Sequence, residues 1–120
     1  MKDYMMIIRG GNEELDAKPA EYFGEIMQKW NTWMGGLAEE GVLVGGQPLA
    51  RAGKTIIEGG SKIIDRPLAE GKELVGGYVI IKADSLDAAC EKFRTCPAVE
   101  HGSSLEVRLV TSPDDPNAMK

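Results

Sequence analysis

The residues best suited to acid-base chemistry in this sequence are a cluster of charged side chains and a single histidine. Asp65, Glu70 and Lys72 stand close together in one polar stretch, and His101 is the only histidine in the chain. A carboxylate can act as a general base when burial raises its pKa, whereas a nearby lysine lowers that pKa again. We therefore take Asp65 and His101 as candidate catalytic residues, and Glu70 and Lys72 as candidate ligand-binding residues.

Each of these assignments has a simpler alternative. A stiff, charged loop at the rim of a sheet is a common place for function, but the stretch around Asp65 could equally be a solvated crossover between two strands. His101 precedes Gly102 in a predicted loop. For this histidine the sequence favours an exposed imidazole, because only three-dimensional geometry can make it a base.

A further candidate, Arg108, lies in the predicted last strand, Leu105–Val110. Alternation along that strand places Leu105 on one face, and Glu106 with Arg108 on the other, away from the predicted helices. A buried arginine needs a partner. Arg108 could therefore pair with Glu106, or its planar guanidinium could bind the carboxylate of a ligand.

The charged stretch joins two predicted strands. Ile63-Ile64 ends one apolar run, and Tyr78–Ala83 forms the next. Pro67 fixes its own φ and restricts the residue before it, so the turn after the first run should be stiff. Gly76-Gly77 permits a backbone path that side chains would block, which predicts a bulge or a close approach to another segment.

The whole chain predicts the order β-α-β-hairpin-β-α-β, a known α+β supersecondary pattern (βαββαβ) with an inserted β-hairpin. The long helix carries a wide apolar stripe, so Trp30 and Trp33 are expected to pack on the core, and the second helix should bury Cys90. A polar loop is expected after Gly10-Gly11. Between the long helix and the hairpin, glycines break the chain into short extended pieces, Val42-Leu43-Val44 and Pro48-Leu49. The other predicted elements are Tyr4–Arg9, Pro19–Glu40, the hairpin Ile56–Glu58 with Lys62–Ile64, Tyr78–Ala83, a helix capped by Asp84 or Ser85, and Leu105–Val110.

Composition and length exclude several classes of function. The 120-residue chain has a net charge of −5 and no cluster of lysines or arginines, which argues against a nucleic-acid partner. The N-terminal apolar run, Tyr4–Ile8, is too short for a signal peptide or a membrane span, so we expect no membrane association and a cytoplasmic location. We expect one domain over residues 1–110 and a flexible tail over residues 111–120.

The cysteines and the histidine do not have the spacing of a metal site. Cys90 and Cys96 match neither a zinc pattern nor a thioredoxin-like pattern, and one histidine cannot complete a usual ligand set. We therefore expect two free thiols, no metal and no cofactor.

Two predicted strands carry apolar residues on both faces. These are the strands that contain Ile7 and Ile80. Two helices can cover only one face of the sheet, and a soluble monomer seldom exposes an apolar patch of that size. We expect a homodimer in which two sheets pack face to face or close into a dimeric α+β barrel.

The stretch DRPLAEGKELVGGYVII resembles the signature of the YCII-related family, in the branch called DGPF-domain proteins. Arg66 and Leu68 depart from that pattern, which usually has Gly and Phe at these two positions. The resemblance covers about residues 3 to 110 and implies a dimeric, ferredoxin-like fold without a settled reaction. The matching residues are Asp65, Pro67, Glu70, Lys72, Glu73, Gly77 and Tyr78.

Two functions from different classes remain open. Resemblance to an often degradative superfamily implies a small cofactor-independent enzyme that acts on a small metabolite by acid-base chemistry. The alternative is a non-catalytic ligand-binding or regulatory interaction module, because relatives often accompany sigma-factor-type regulators. An enzyme should have a closed pocket with a poised acid or base, whereas an interaction module should present an open apolar or charged surface.

Overall fold

A computed structural model of the chain describes residues 1–115. Part of the predicted flexible tail, residues 116–120, lies outside the described residues. The helices and strands are, in chain order, β1 (Lys2–Arg9), α1 (Asn12–Asp16), α2 (Ala20–Glu39), β2 (Leu43–Pro48), β3 (Thr55–Ile57), β4 (Lys62–Ile64), β5 (Val75–Ala83), α3 (Leu86–Phe93) and β6 (Ser104–Leu109).

Four strands form one antiparallel sheet in the order β2-β5-β1-β6. In its register Ile7 of β1 lies opposite Tyr78 of β5 and Glu106 of β6. This order and the packed helices give an α+β architecture consistent with a ferredoxin-like fold. The strands β3 and β4 pair separately from the sheet, with Ile56 opposite Ile63, so the inserted hairpin is confirmed.

The core lies between one face of the sheet and the helices α2 and α3. Alternation along β1 and β5 brings Tyr4, Met6, Val79 and Ile81 to this face, where Leu37 and Phe93 pack from the helices. Trp30 and Trp33 are partly buried against this cluster, as the apolar stripe predicts. Trp30 is not fully enclosed, because it also lines the cavity described below.

The helix α3 begins where the sequence indicates. Ser85 Oγ accepts a hydrogen bond from the backbone N–H of Ala88 at 3.0 Å, which caps the helix. The prediction that Cys90 packs in the core is wrong, because Ala89 and Phe93 face the sheet and Cys90 lies one residue, about 100°, further round the helix. Cys96, beyond the helix, is the buried thiol.

Two further details differ from the predicted elements. The loop expected after Gly10-Gly11 contains α1, and β2 continues as a strand through Gly45-Gly46. Side chains could not follow the same path. A Cβ at Gly46 would lie 2.8 Å from the Tyr78 carbonyl oxygen, and one at Gly77 would lie 2.9 Å from the Gln47 carbonyl oxygen. The predicted close approach of Gly76-Gly77 to another segment is therefore confirmed.

The other face of the sheet contributes nothing to the core cluster. Met5, Ile7, Tyr78 and Ile80 lie on it as neighbouring cross-strand pairs, each partly buried in the single chain. The molecule is only 18 Å thick along its shortest axis, close to the thickness of one helix layer on one sheet. The single chain therefore has an apolar sheet face that no helix among residues 1–115 covers.

Candidate functional site

A cavity of about 300 Å³ lies between α2 and one end of the sheet. Its wall is mainly apolar, and the polar residues in it include Asn12, Gln47, Tyr78, His101 and Ser103. The largest apolar side chains in the wall are Ile8, Leu15, Phe23, Ile26, Met27, Trp30 and Met34.

The helix α2 forms this wall because its apolar residues recur at steps of three and four. That spacing directs Ile26, Trp30 and Met34 towards the sheet. Nearer the solvent, Phe23 is 61% exposed and Met27 is 43% exposed. The apolar stripe is thus wider than the sheet can cover at this end, and its uncovered part forms the mouth of the cavity.

His101 is buried in the cavity wall, with only 9% of its surface exposed. A 3₁₀ turn, Pro97–His101, ends at Gly102 with a left-handed φ of 89°, and this geometry turns the imidazole inwards. The sequence-based preference for an exposed loop imidazole is therefore wrong. His101 is buried because of the backbone turn, and no single residue type in this segment predicts that turn.

One nitrogen of His101 is held by the backbone. Nδ1 lies 3.3 Å from the carbonyl oxygen of Gly11, so we assign the proton to Nδ1, where it can be donated to that oxygen. Nε2 then carries the lone pair, and it has no hydrogen-bond partner within residues 1–115. An anchored imidazole with one free acceptor nitrogen is suited to take a proton from a bound molecule.

The pair Gly10-Gly11 at the end of β1 makes this arrangement possible. Gly11 has a φ of 83°, and a Cβ there would collide with Ser103 Oγ and lie 2.9 Å from His101 Nδ1. Ser103 Oγ donates a hydrogen bond to the Gly10 carbonyl oxygen at 3.1 Å. From the sequence alone these glycines indicated only the end of a strand, although a glycine pair also indicates close approach of another segment.

Tyr22 and Glu100 lie near the imidazole, and Lys29 pairs with Glu100. The Tyr22 ring meets the His101 ring edge-on, with centroids 6.3 Å apart, and its buried hydroxyl has no geometrically acceptable hydrogen bond. Burial raises the pKa of Tyr22, and the negative charge of Glu100 adds to that shift. Lys29 Nζ lies 2.8 Å from a Glu100 carboxylate oxygen, and this hydrogen bond lowers the pKa of Glu100.

The residues predicted from the charged stretch do not line this cavity. Asp65 has an 85% exposed side chain and forms an ion pair with Lys54 at 3.0 Å, rather than with Lys72 or His101. Glu70 and Lys72 are also exposed. The structure thus brings only His101, of the two candidate catalytic residues, into the cavity wall.

Arg108 lies on the open face of the sheet, opposite Met5 in the β1 register. The expected pair with Glu106 is not formed, since Glu106 instead accepts from Arg9 Nε at 3.1 Å. Arg9 also donates to the Glu73 carbonyl oxygen at 3.0 Å. Arg108 itself is exposed and has no hydrogen bond or ion pair with any residue in the described part of the chain.

No group of three or more His, Cys, Asp or Glu side chains among residues 1–115 could hold a metal ion. No helix of the described residues combines the length and apolar character needed to cross a bilayer.

Comparison with known proteins identifies the family. No curated protein matches the chain. The family profile described as YCII-related domain matches residues 3–112, a range that includes the cavity, His101 and the charged stretch around Asp65. This match covers nearly all of the sheet and its helices. The chain therefore belongs to the YCII-related family.

Proposed function

We propose that the chain binds a small metabolite in the cavity and acts on it by acid-base chemistry without a cofactor, with His101 as the base. One observation carries this proposal: the only histidine is buried in an apolar cavity wall, with Nδ1 anchored on Gly11 and Nε2 free. A fixed tautomer and a low-polarity wall are the conditions under which a histidine acts as a general base.

The residues around His101 support a simple proton transfer. Nε2 would accept a proton from an acidic O–H, N–H or C–H group of the ligand, which leaves the electron pair on the ligand and a positive charge on the imidazole. The carboxylate of Glu100 lies close enough to interact with that charge. The edge contact of the Tyr22 ring holds the imidazole plane. The proton then returns to the ligand at the same or another atom.

A second candidate function is a non-catalytic ligand-binding or regulatory module. The observation that favours it is the absence of any Asp, Glu, Lys or Arg from the cavity lining within residues 1–115, since such groups usually stabilise charge during proton transfer. In this function Asp65, Glu70 and Lys72 would form an exposed contact surface on the loop with the DGPF-like signature.

We also propose that the chain is a homodimer in which the open sheet faces pack together, as in a dimeric α+β barrel. The apolar pairs Met5–Ile80 and Ile7–Tyr78 support this arrangement. Arg108 would then lie inside the dimer, where its guanidinium requires a partner from the second chain or from a ligand. A standard interface of about 800 Å² per chain is sufficient for a stable dimer.

A deuterium-exchange experiment separates the two functions. The protein is incubated in heavy water with mixtures of small metabolites, and a parallel sample contains no protein. Mass spectrometry identifies the metabolites that gain deuterium only in the sample that contains the protein. The enzyme function predicts deuterium incorporation that His101→Gln abolishes while the folded structure is kept. If a ligand binds but neither the natural protein nor the His101→Gln variant catalyses deuterium exchange, the non-catalytic module is favoured.

A further inference from the structure

We infer that the cavity selects an uncharged ligand with an aromatic ring and a hydrogen-bond donor, and rejects carboxylated or ammonium-bearing molecules of similar size. The inference rests on the proposed ligand-binding role and specifies the chemical class of the ligand.

The first argument is the charge of the wall. Within residues 1–115 no acidic or basic side chain other than His101 lines the cavity. Arg108, the candidate for binding a carboxylate, lies on the opposite face of the sheet. Moving a carboxylate or an ammonium group out of water without a partner is strongly unfavourable. A charged ligand would therefore bind more weakly than a neutral ligand of the same shape.

The charges just outside the wall strengthen this preference. The carboxylate of Glu14 lies beside Gly102, 3.0 Å from the position of a Cβ there, and Glu100 is close to His101. Both carboxylates disfavour an anion in the cavity. They offer little to a cation, because neither lines the cavity and Glu100 already pairs with Lys29.

The second argument is the composition of the apolar wall. Phe23, Trp30, Met27 and Met34 supply aromatic rings and thioethers, which interact favourably with the face or edge of a ligand ring. Trp30 is held in place edge-on by Trp33, with centroids 5.6 Å apart and ring planes at 87°. Trp33 Nε1 in turn donates to Thr95 Oγ1 at 2.9 Å. A wall fixed before binding favours a rigid ring.

The third argument is the hydrogen-bonding capacity that remains. The hydroxyl hydrogen of Ser103 is used on Gly10, so its oxygen can only accept from a ligand. His101 Nε2 is likewise an acceptor in the assigned tautomer. Asn12, Gln47 and Tyr78, which also line the cavity, have amide or hydroxyl groups that can donate or accept. The two fixed acceptors are satisfied only by a donor, so the ligand should carry a hydroxyl or N–H group on its ring or beside it.

Three probes that share one ring system test the inference. Naphthol is neutral near neutral pH, naphthoate is an anion, and naphthylmethylammonium is a cation. Each is titrated by calorimetry into the full chain, and binding is followed at the His101 ring by NMR. We expect the dissociation constant of naphthol to be at least about tenfold lower than those of both charged probes. Equal or tighter binding of either charged probe at the His101 ring would overturn the inference and leave the proposed site intact.

Failure of all three probes to perturb the His101 ring would overturn both the inference and the proposed ligand-binding role.

A matched pair of variants tests whether the charge preference arises in this cavity. Met27→Lys adds a cation at the mouth of the cavity, and Leu86→Lys adds one on α3 at a similarly exposed position, since the natural side chains are 43% and 48% exposed. We expect naphthoate to gain about tenfold in affinity with the first variant and to be unchanged with the second. A gain of the same size in both variants, or in neither, would contradict binding in this cavity.

Discussion

His101 Nδ1 lies 3.3 Å from the carbonyl oxygen of Gly11, although 90 residues separate the two in the chain. The contact joins the end of β1 to the turn that precedes β6, the strand beside it in the sheet. It fixes the orientation of the only histidine, and it depends on a glycine with a left-handed backbone.

Replacing Gly11 by alanine should therefore displace His101. A Cβ at this position collides with Ser103 Oγ and crowds His101 Nδ1, and the φ of 83° is strained for any L side chain. We expect a loss of about 1–3 kcal/mol in the free energy of unfolding, measured in urea. Gly41→Ala is the matched control, because Gly41 has a φ of 75° but its Cβ would meet nothing within 4 Å. Equal losses for the two variants would contradict a steric role for Gly11.

The two large aromatic residues Trp30 and Phe93 should respond differently to truncation. Phe93 is 1% exposed in the core, so Phe93→Ala should destabilise the fold by about 3–5 kcal/mol. Trp30 is partly buried and borders an existing cavity, so Trp30→Ala should cost less stability but weaken naphthol binding. Urea unfolding and calorimetry measure the two effects. A larger stability loss for Trp30→Ala than for Phe93→Ala would show that Trp30 is part of the core and not of a binding wall.

The two thiols should differ in reactivity and in their effect at alkaline pH. Cys90 is exposed, whereas burial raises the pKa of Cys96 from 9.0 to about 11. Because the folded state favours the protonated thiol, the contribution of Cys96 to stability is complete below pH 9 and is lost as the pH rises towards 11. The loss should approach about 3 kcal/mol, since one pKa unit is about 1.4 kcal/mol.

Thiol labelling and unfolding at several pH values check this prediction. In the native chain one thiol should react rapidly with a disulfide reagent, and Cys90→Ala should remove that reaction. Cys96→Ala should reduce the loss of stability between pH 9 and 11. Rapid reaction of both native thiols would contradict the buried position of Cys96.

Much of the fold could be predicted from the sequence because its determinants are local. Glycines and Ser61 between two apolar runs indicated the hairpin, and Ser85 before an apolar stripe indicated the start of α3. The buried face of α3 could not be predicted as securely. Ala89 and Cys90 are both small and apolar, and one residue of phase decides which of them meets the sheet.

The site was harder to predict because its determinants are distant in the chain. The burial of His101 depends on Gly11 and on a 3₁₀ turn, and no local sequence pattern predicts the contact between His101 and Gly11. For Asp65 the sequence was informative and the expected position was not found. Its sequence context is recognisable, yet its side chain is exposed beside Lys54 and apart from the cavity. A recognisable stretch thus indicated the family, while the geometry of the cavity wall identified the histidine.

The proposed dimer predicts a mass of about twice the 13.0 kDa chain in light scattering at micromolar concentration. Ile80→Lys should convert it to the single-chain mass, because Ile80 is on the apolar face that the second chain would cover. Ile56→Lys is the control, since Ile56 is exposed on the separate hairpin. A single-chain mass for the natural protein would contradict the dimer.

The tautomer of His101 tests the central claim most directly. The chain has one histidine, so the ring nitrogens can be observed by NMR without assignment by mutation. In the neutral ring we expect a proton on Nδ1, an unprotonated Nε2, and a shift of the Nε2 resonance when naphthol is added. A ring protonated on Nε2, or a freely averaging pair of tautomers that naphthol does not perturb, would contradict the assignment of His101 as the base of a ligand-binding cavity.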